Sequence, residues 1–215
     1  LMKNILLFQI IFLLLFSACS DFNGNEDAVE ASLKPGPVTQ QRQQQQEESE
    51  PTRTYYDLNA ITYGNNTFVA VGESGTVRSS SNNGSSWDNG TSGTTREFYE
   101  IAYGDNTFVA VGQRGTHSYS GDNGNSWSTG TWSSSDDITG VAFGNNTFIG
   151  VSSTYLTKST DSGSNWGQGC AGVRVYDVAF GNSKFVASGV AGAIQTSDNG
   201  SGCSTGSSGT NTHTL

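Results

Sequence analysis

The sequence predicts an all-β protein, an array of four stacked units of four strands each, and three observations predict it. Glycine and aromatic positions recur at fixed steps: Gly64, Gly104, Gly144 and Gly181 lie 40, 40 and 37 residues apart, and Phe68, Phe108, Phe148 and Phe185 keep those steps. The chain has 28 Gly but only 3 Pro, with 13% charged residues, which supplies tight turns and withholds the Ala, Leu, Glu and Lys of long helices. Between the turns, apolar residues occupy both faces. Phe68 and Ala70 point one way and Val69 and Val71 the other, so the strand expects cover on both sides.

In chain order, residues 1–18 come first. Lys3 precedes an apolar run from Ile5 to Phe16, broken only by Gln9 and followed by Ser17-Ala18-Cys19. A positive start, a short apolar stretch and small residues before a cut make a secretory signal. The run falls short of the ~20 residues a membrane-spanning helix needs. Small residues followed by Cys resemble the bacterial lipobox, although Phe16 stands where that motif usually has Leu. The resemblance implies acylation at Cys19 and anchoring to a membrane. Ser20 rather than Asp follows the cysteine, which implies delivery to the outer membrane or cell surface. Residues 19–54 are polar and rich in Gln and Glu, with no apolar periodicity to bury, and are expected to be a disordered tether.

The body spans 55–215, with blades expected at about 55–95, 96–135, 136–173 and 174–215. In the first copy, strand one is expected from Tyr56 to Tyr63, and Gly64-Asn65-Asn66 turns the chain. Strand two runs Thr67 to Val71, Glu73-Ser74-Gly75 turns again, strand three runs Thr76 to Ser80, and strand four lies near Trp87. Four-stranded units of this length that cover one another's faces form a β-propeller-type array. The spacing leaves three endings open: a small closed ring, an open array, or a piece of a longer protein.

The turn between strands three and four has its own pattern. It reads Ser80, Asn82, Gly84, Trp87 in copy one and Ser120, Asp122, Gly124, Trp127 in copy two. Copy three has Ser159, Asp161, Gly163, Trp166, and copy four has Thr196, Asp198, Gly200, with Cys203 where the others have Trp. These resemble the Asp-box (BNR) repeat. A carboxylate accepting turn amides and a glycine at positive φ give the pattern a physical basis. Asn82 and Cys203 make the first and last copies weaker matches. The wider repeat resembles propellers related to photosystem II assembly factors and to the sialidase-like and WD40 superfamily. The resemblance covers Tyr56 to about Ser207 and speaks to fold more than function.

Several chemistries are weighed against packing roles. A resemblance to sialidases would imply three arginines around a carboxylate; the body has Arg78, Arg96, Arg114 and Arg174, of which Arg78 and Arg114 lie next to or within strand three of copies one and two but not in equivalent columns, and Tyr63 and Tyr103 sit at repeat positions suited to packing. Asp136-Asp137 is an adjacent pair in an inter-blade loop and is read as solvated. His117 and His213 are the two histidines, far apart in sequence, so neither a metal nor a catalytic site is expected. Cys170 and Cys203 are a possible disulfide in an oxidising compartment, with two separate thiols as the alternative. Trp132 and Tyr155 fall outside the repeat's aromatic columns, either as a stacking surface or as local packing. The net charge of −9 argues against nucleic acid.

The function expected is that of a non-catalytic, lipid-anchored envelope binding or scaffold protein that recognises its partner through loops such as 89–95 and 131–137. The expected partners are the membrane, through acylated Cys19, and another envelope protein or a glycan, with no cofactor. The alternatives are a lectin or sialidase-like glycoside hydrolase, and an assembly factor for a membrane complex.

Overall fold

The structure, a computed structural model, describes residues 55–132, 135–171 and 174–207. The expectations for the signal segment, Cys19, the tether and His213 fall outside those residues. Blade one contains β1 (Leu58–Gly64), β2 (Thr67–Gly72), β3 (Val77–Ser80) and β4 (Asp88–Asn89). Blade two contains β5 (Phe98–Gly104), β6 (Thr107–Gly112), β7 (Thr116–Ser120) and β8 (Ser128–Thr131). Blade three contains β9 (Ile138–Gly144), β10 (Thr147–Ser152), β11 (Tyr155–Ser159) and β12 (Gly167–Ala171). Blade four contains β13 (Val175–Gly181), β14 (Lys184–Gly189), β15 (Ala193–Ser197) and β16 (Cys203–Ser207). Each blade is one four-stranded sheet whose strands neighbour each other in sequence order.

Local chemistry sets the first hairpin of every blade. Asn65 and Asn66 sit at φ 44° and 57°, and the pairs Asp105-Asn106, Asn145-Asn146 and Asn182-Ser183 do likewise. Two-residue hairpin loops with both φ values positive match the strand twist and favour Asn, Asp or Gly. The innermost strand of each blade also carries a register shift at one place, as between Leu58 and Ala60 and between Phe98 and Glu100. The bulge puts Phe98 on the same face as Ile101 and Tyr103.

The core lies between blades. At each of the three seams the trailing face of one blade meets the leading face of the next. Phe98, Ile101, Phe108 and Ala110 of blade two pack on Val69, Val71 and Val77 of blade one. Ile138, Val141 and Phe148 of blade three pack on Val109 and Val111 of blade two. Val175, Val178, Phe185 and Ala187 of blade four pack on Ile149, Val151 and Leu156 of blade three. A fully buried Val, Ile or Phe contributes about 1.5–3 kcal/mol, so these seams outweigh any single turn.

The repeated glycine after each innermost strand serves the seam. A Cβ on Gly64 would stand 2.1 Å from Tyr103 Cγ, one on Gly104 2.0 Å from Phe143 Cγ, and one on Gly144 2.2 Å from Phe180 Cγ. The aromatic of the following blade lies flat on the bare backbone. Gly181 has nothing within 4 Å. At the other end Leu58, Ile61 and Tyr63 are 51%, 57% and 52% exposed. Among the described residues blade four therefore does not cover blade one, and the array of the four sheets is open.

Candidate functional site

The boxed turns come first, because they fix how neighbouring blades meet. In blade two Ser120 Oγ donates to Asp122 Oδ1 (2.8 Å) and accepts from Gly124 N (2.9 Å), while Asp122 accepts from Ser126 N (2.9 Å). Blade three repeats this with Ser159, Asp161, Gly163 and Asn165. In blade one Asn82 takes the carboxylate's place, bonded by Ser80 and by Ser86 N, and Gly84 N donates to Ser80. Trp127 and Trp166 donate their indole N–H to Gly124 O and Gly163 O. The hydrogen bond from the Ser126 hydroxyl leads those that hold the Asp122 carboxyl below its ordinary range. For Asp161, burial alone pushes upward, but hydrogen bonds from Asn165, Ser159 and Ser164 outweigh it, and its carboxyl is also held low.

The box glycine does more than accept a positive φ. A Cβ on Gly124 would stand 3.1 Å from Val69 of blade one, on Gly163 2.6 Å from Val109 of blade two, and on Gly200 2.4 Å from Ile149 of blade three. Trp127 and Trp166 also pack against the seam with the preceding blade. The box is therefore a clamp between blades, which a reading of one repeat at a time misses.

Blade four differs from its expected form. Phe185 pairs with Ser197, as Phe68 pairs with Ser80 and Phe108 with Ser120. Gly200 N donates to Ser197 Oγ (2.8 Å), and Ser201 N to Asn199 Oδ1 (3.0 Å). Ser197 and Asn199, not Thr196 and Asp198, thus form this turn, which is one residue shorter. Asp198 instead forms an exposed ion pair with Lys184. Cys203, in the Trp column, is disulfide-bonded to Cys170 of blade three, with Cα atoms 6.0 Å apart. The bond crosses the seam where the other blades use an indole.

A cleft of about 830 Å³ lies beside loop 90–96, at the join of blades one and two. Gly75, at φ 70°, lets the turn after β2 press against this loop, since a Cβ there would meet Thr94 O at 2.0 Å. The Thr129 hydroxyl ties down Ser92 O, and Arg96 N donates to Thr94 Oγ1 (3.1 Å). Two half-buried arginines line the cleft. Arg96 Nη1 donates to Thr116 Oγ1 (3.2 Å) and Thr131 Oγ1 (3.1 Å), which fixes its plane. Arg78 Nη1 donates to Val77 O (3.1 Å). Among the described residues neither guanidinium has a carboxylate within salt-bridge distance. The remaining lining is Tyr56, backbone and Ser and Thr hydroxyls, with no acid, histidine or thiol beside them. Such a lining offers donors to an anion or to a hydrogen-bonding group.

The other candidates fall to packing. Arg114 sits in the turn after β6, its N–H bonded to Asp137 Oδ1 (2.8 Å), and Asp137 also accepts from the Tyr99 hydroxyl (3.2 Å). Arg174 precedes β13, outside the cleft. Tyr63 and Tyr103 lean on Phe68 and Phe108, with centroids 4.6 Å apart in each pair. His117 is buried against Trp166, and burial lowers its pKa. Trp132 is buried edge-on to Tyr155, so neither ring forms an open sugar-stacking face with the other. No metal-holding group of three or more His, Cys, Asp or Glu occurs among the described residues.

No protein-family model and no curated protein matches the sequence. Solved structures match the fold, and with the four meandering sheets they define its class, a β-propeller-type array. Among them is YCF48 from Cyanidioschyzon merolae, at 17% identity and TM-score 0.56 over 75% of this chain and 59% of that one. A YCF48 bound to D1 peptide matches at 18% identity and TM-score 0.58, over 73% of this chain and 56% of that one. The computationally designed Ika4 protein matches at 14% identity and TM-score 0.54, over 70% of this chain and 96% of that one. The chain thus spans less than two thirds of the length of either YCF48 structure.

Proposed function

We propose that this chain is a non-catalytic binding protein, held at the cell envelope by acylated Cys19, that takes an acidic segment of a partner protein in the cleft of Arg78 and Arg96. The observation that carries the reading is a pair of guanidiniums that, among the described residues, have no carboxylate partner, in a cleft otherwise lined by Tyr56, hydroxyls and backbone. Both Nη1 protons of Arg96 go to threonine hydroxyls, which braces the guanidinium and leaves its Nη2 and Nε edge as the side for a forked contact with a carboxylate. The cleft is built from loop 90–96, one of the loops that differ between repeats while the strands do not, and a rigid frame with variable loops suits recognition. A propeller of similar fold, YCF48, has been solved with a peptide bound. The membrane anchor rests on the residue pattern from Lys3 to Cys19.

Fluorescence polarisation with labelled acidic, neutral and basic peptides tests the cleft on the full chain in detergent. The acidic peptide should bind, lose at least about tenfold affinity in the Arg78→Ala/Arg96→Ala variant, and weaken with added salt. Binding that ignores both substitutions, or that favours the basic peptide, overturns the reading. Labelling with an alkyne fatty acid, lost in Cys19→Ala, tests the anchor.

A further inference from the structure

We propose that the two open ends of the array are the two halves of one joint, filled by a second copy of this chain. In this joint the leading face of blade one in one copy packs on the trailing face of blade four in another. The three internal seams set the standard. In each, an aromatic of the following blade covers a bare glycine: Tyr103 over Gly64, Phe143 over Gly104 and Phe180 over Gly144. In each, the box glycine of the following blade receives a β-branched side chain: Val69 on Gly124, Val109 on Gly163 and Ile149 on Gly200. In each, the first hairpin turn bonds the next box turn: Asn65 to Asn123, Ser162 to Asp105, and Asn145 to the Asp198 carbonyl.

The ends hold these same parts, unmatched. Gly181 is the fourth bare glycine, and no atom stands within 4 Å of its Cβ position. Tyr63 is the first aromatic of the series and is 52% exposed. Val186 occupies the column of Val69, Val109 and Ile149 but is 40% exposed, whereas those three are fully buried. Gly84 is the box glycine of blade one and meets only the ring of its own Trp87, at 4.0 Å. Leu58, Ile61 and Trp87 are also exposed on this leading face, beside Arg78. Placing blade four of one copy before blade one of another sets Tyr63 on Gly181 and Val186 on Gly84. Asn182 then comes beside the box turn of blade one. This is a head-to-tail contact, which repeats until a ring closes or a row extends.

The trailing face is more polar than its internal counterparts. Lys184 stands where other blades have Thr67, Thr107 and Thr147, and Ser188 where they have Val71, Val111 and Val151. The joint is accordingly weaker than the internal seams and reversible. Arg78 shares its face with Ile61 through Ala70, and its counterparts Ser118, Thr157 and Gln195 are fully buried in their seams, so the joint covers Arg78 and competes with a segment held in the cleft.

Cysteine crosslinking on the full chain tests the joint. At the internal seam a Cβ on Gly64 would lie 2.1 Å from Tyr103 Cγ, so the two Cβ atoms come within disulfide reach. A chain carrying both Tyr63→Cys and Gly181→Cys should give disulfide-linked dimers or longer ladders on mild oxidation. The unsubstituted chain and each single variant should give none. A link within one monomer would mean that four blades close on themselves, and no link would mean the faces do not meet. Either result overturns the proposal. Tyr63→Asp is exposed enough to fold, and should shift the sedimentation of the full chain to monomer with an unchanged circular dichroism spectrum. An unsubstituted chain already monomeric at the same concentration also overturns it.

Discussion

Positions 61 and 101 both carry isoleucine at the same point of the innermost strand, yet Ile61 is 57% exposed and Ile101 is 4% exposed. The same contrast separates Leu58 from Phe98 and Tyr63 from Tyr103, and at the far end Val186 from Ile149. Blade one therefore differs from blades two and three chiefly in what it touches, and blade four differs in that and in the polar Lys184 and Ser188 of its trailing face. The repeated residues encode a seam between blades, and a blade is only half of each seam. The boxed turn makes the same point. Its glycine and indole sit within the seam in the inner blades, and blade one carries both with nothing to receive them.

Breaking the seams one at a time sharpens this contrast. The blade three to four seam holds a disulfide where the other two hold an indole, and it closes a loop with a sequence separation of 33 residues. Replacing Cys170 and Cys203 by Ser should lower stability by about 4 kcal/mol in the chain-entropy account. Urea melts with and without reductant measure this. A reduced chain as stable as the oxidised one would mean that packing alone holds this seam. Next in size is a single methyl group. Gly104→Ala drives its Cβ into the Phe143 ring and should cost about 3 kcal/mol, whereas Gly181→Ala meets open space and should stay within about 0.5 kcal/mol in the monomer. Equal losses at the two sites would show that backbone preference, not the neighbouring aromatic, keeps these positions glycine.

Much of this was legible because it is local. The hairpin turns are written in Asn65-Asn66 and its copies, and the two-sided apolar strands in residues such as Phe68 to Val71. Contacts between repeats were not. Nothing near Gly124 in the sequence shows that Val69 presses on it, because the partner lies 55 residues away. The shortened turn of blade four was hidden by a coincidence. Thr196 stands four residues before Gly200 and so satisfies the spacing, while strand pairing hands the role to Ser197. The cleft was hidden for a further reason. Arg78 belongs to a strand of blade one and Arg96 to the loop that leads into blade two, so only the folded chain brings them to one opening.

The smallest expected effect concerns acid, and it divides the same blades. Asp122 and Asp161 have carboxyls held below their ordinary range, whereas blade one has Asn82 in that place and blade four has Asn199. A carboxyl with a depressed folded pKa contributes stability that is fully present above its unfolded value, about 3.9. That contribution is lost as pH falls through the folded value. His117 is also depressed, by burial, and its contribution is present above the ordinary histidine value of about 6.5 and falls away below it. The two windows are separate, so melting temperatures taken from about pH 7 down to about pH 2 resolve them. The Asp122→Asn/Asp161→Asn variant should flatten the decline below about pH 4 and leave the step near pH 6 in place. Asn82→Asp should do the reverse, adding acid sensitivity to a blade that has none from its box. If Asn82→Asp leaves the acid limb unchanged, then serine and amide donors alone do not depress the carboxyl. The seam with the preceding blade, which blade one lacks, would then be part of what does.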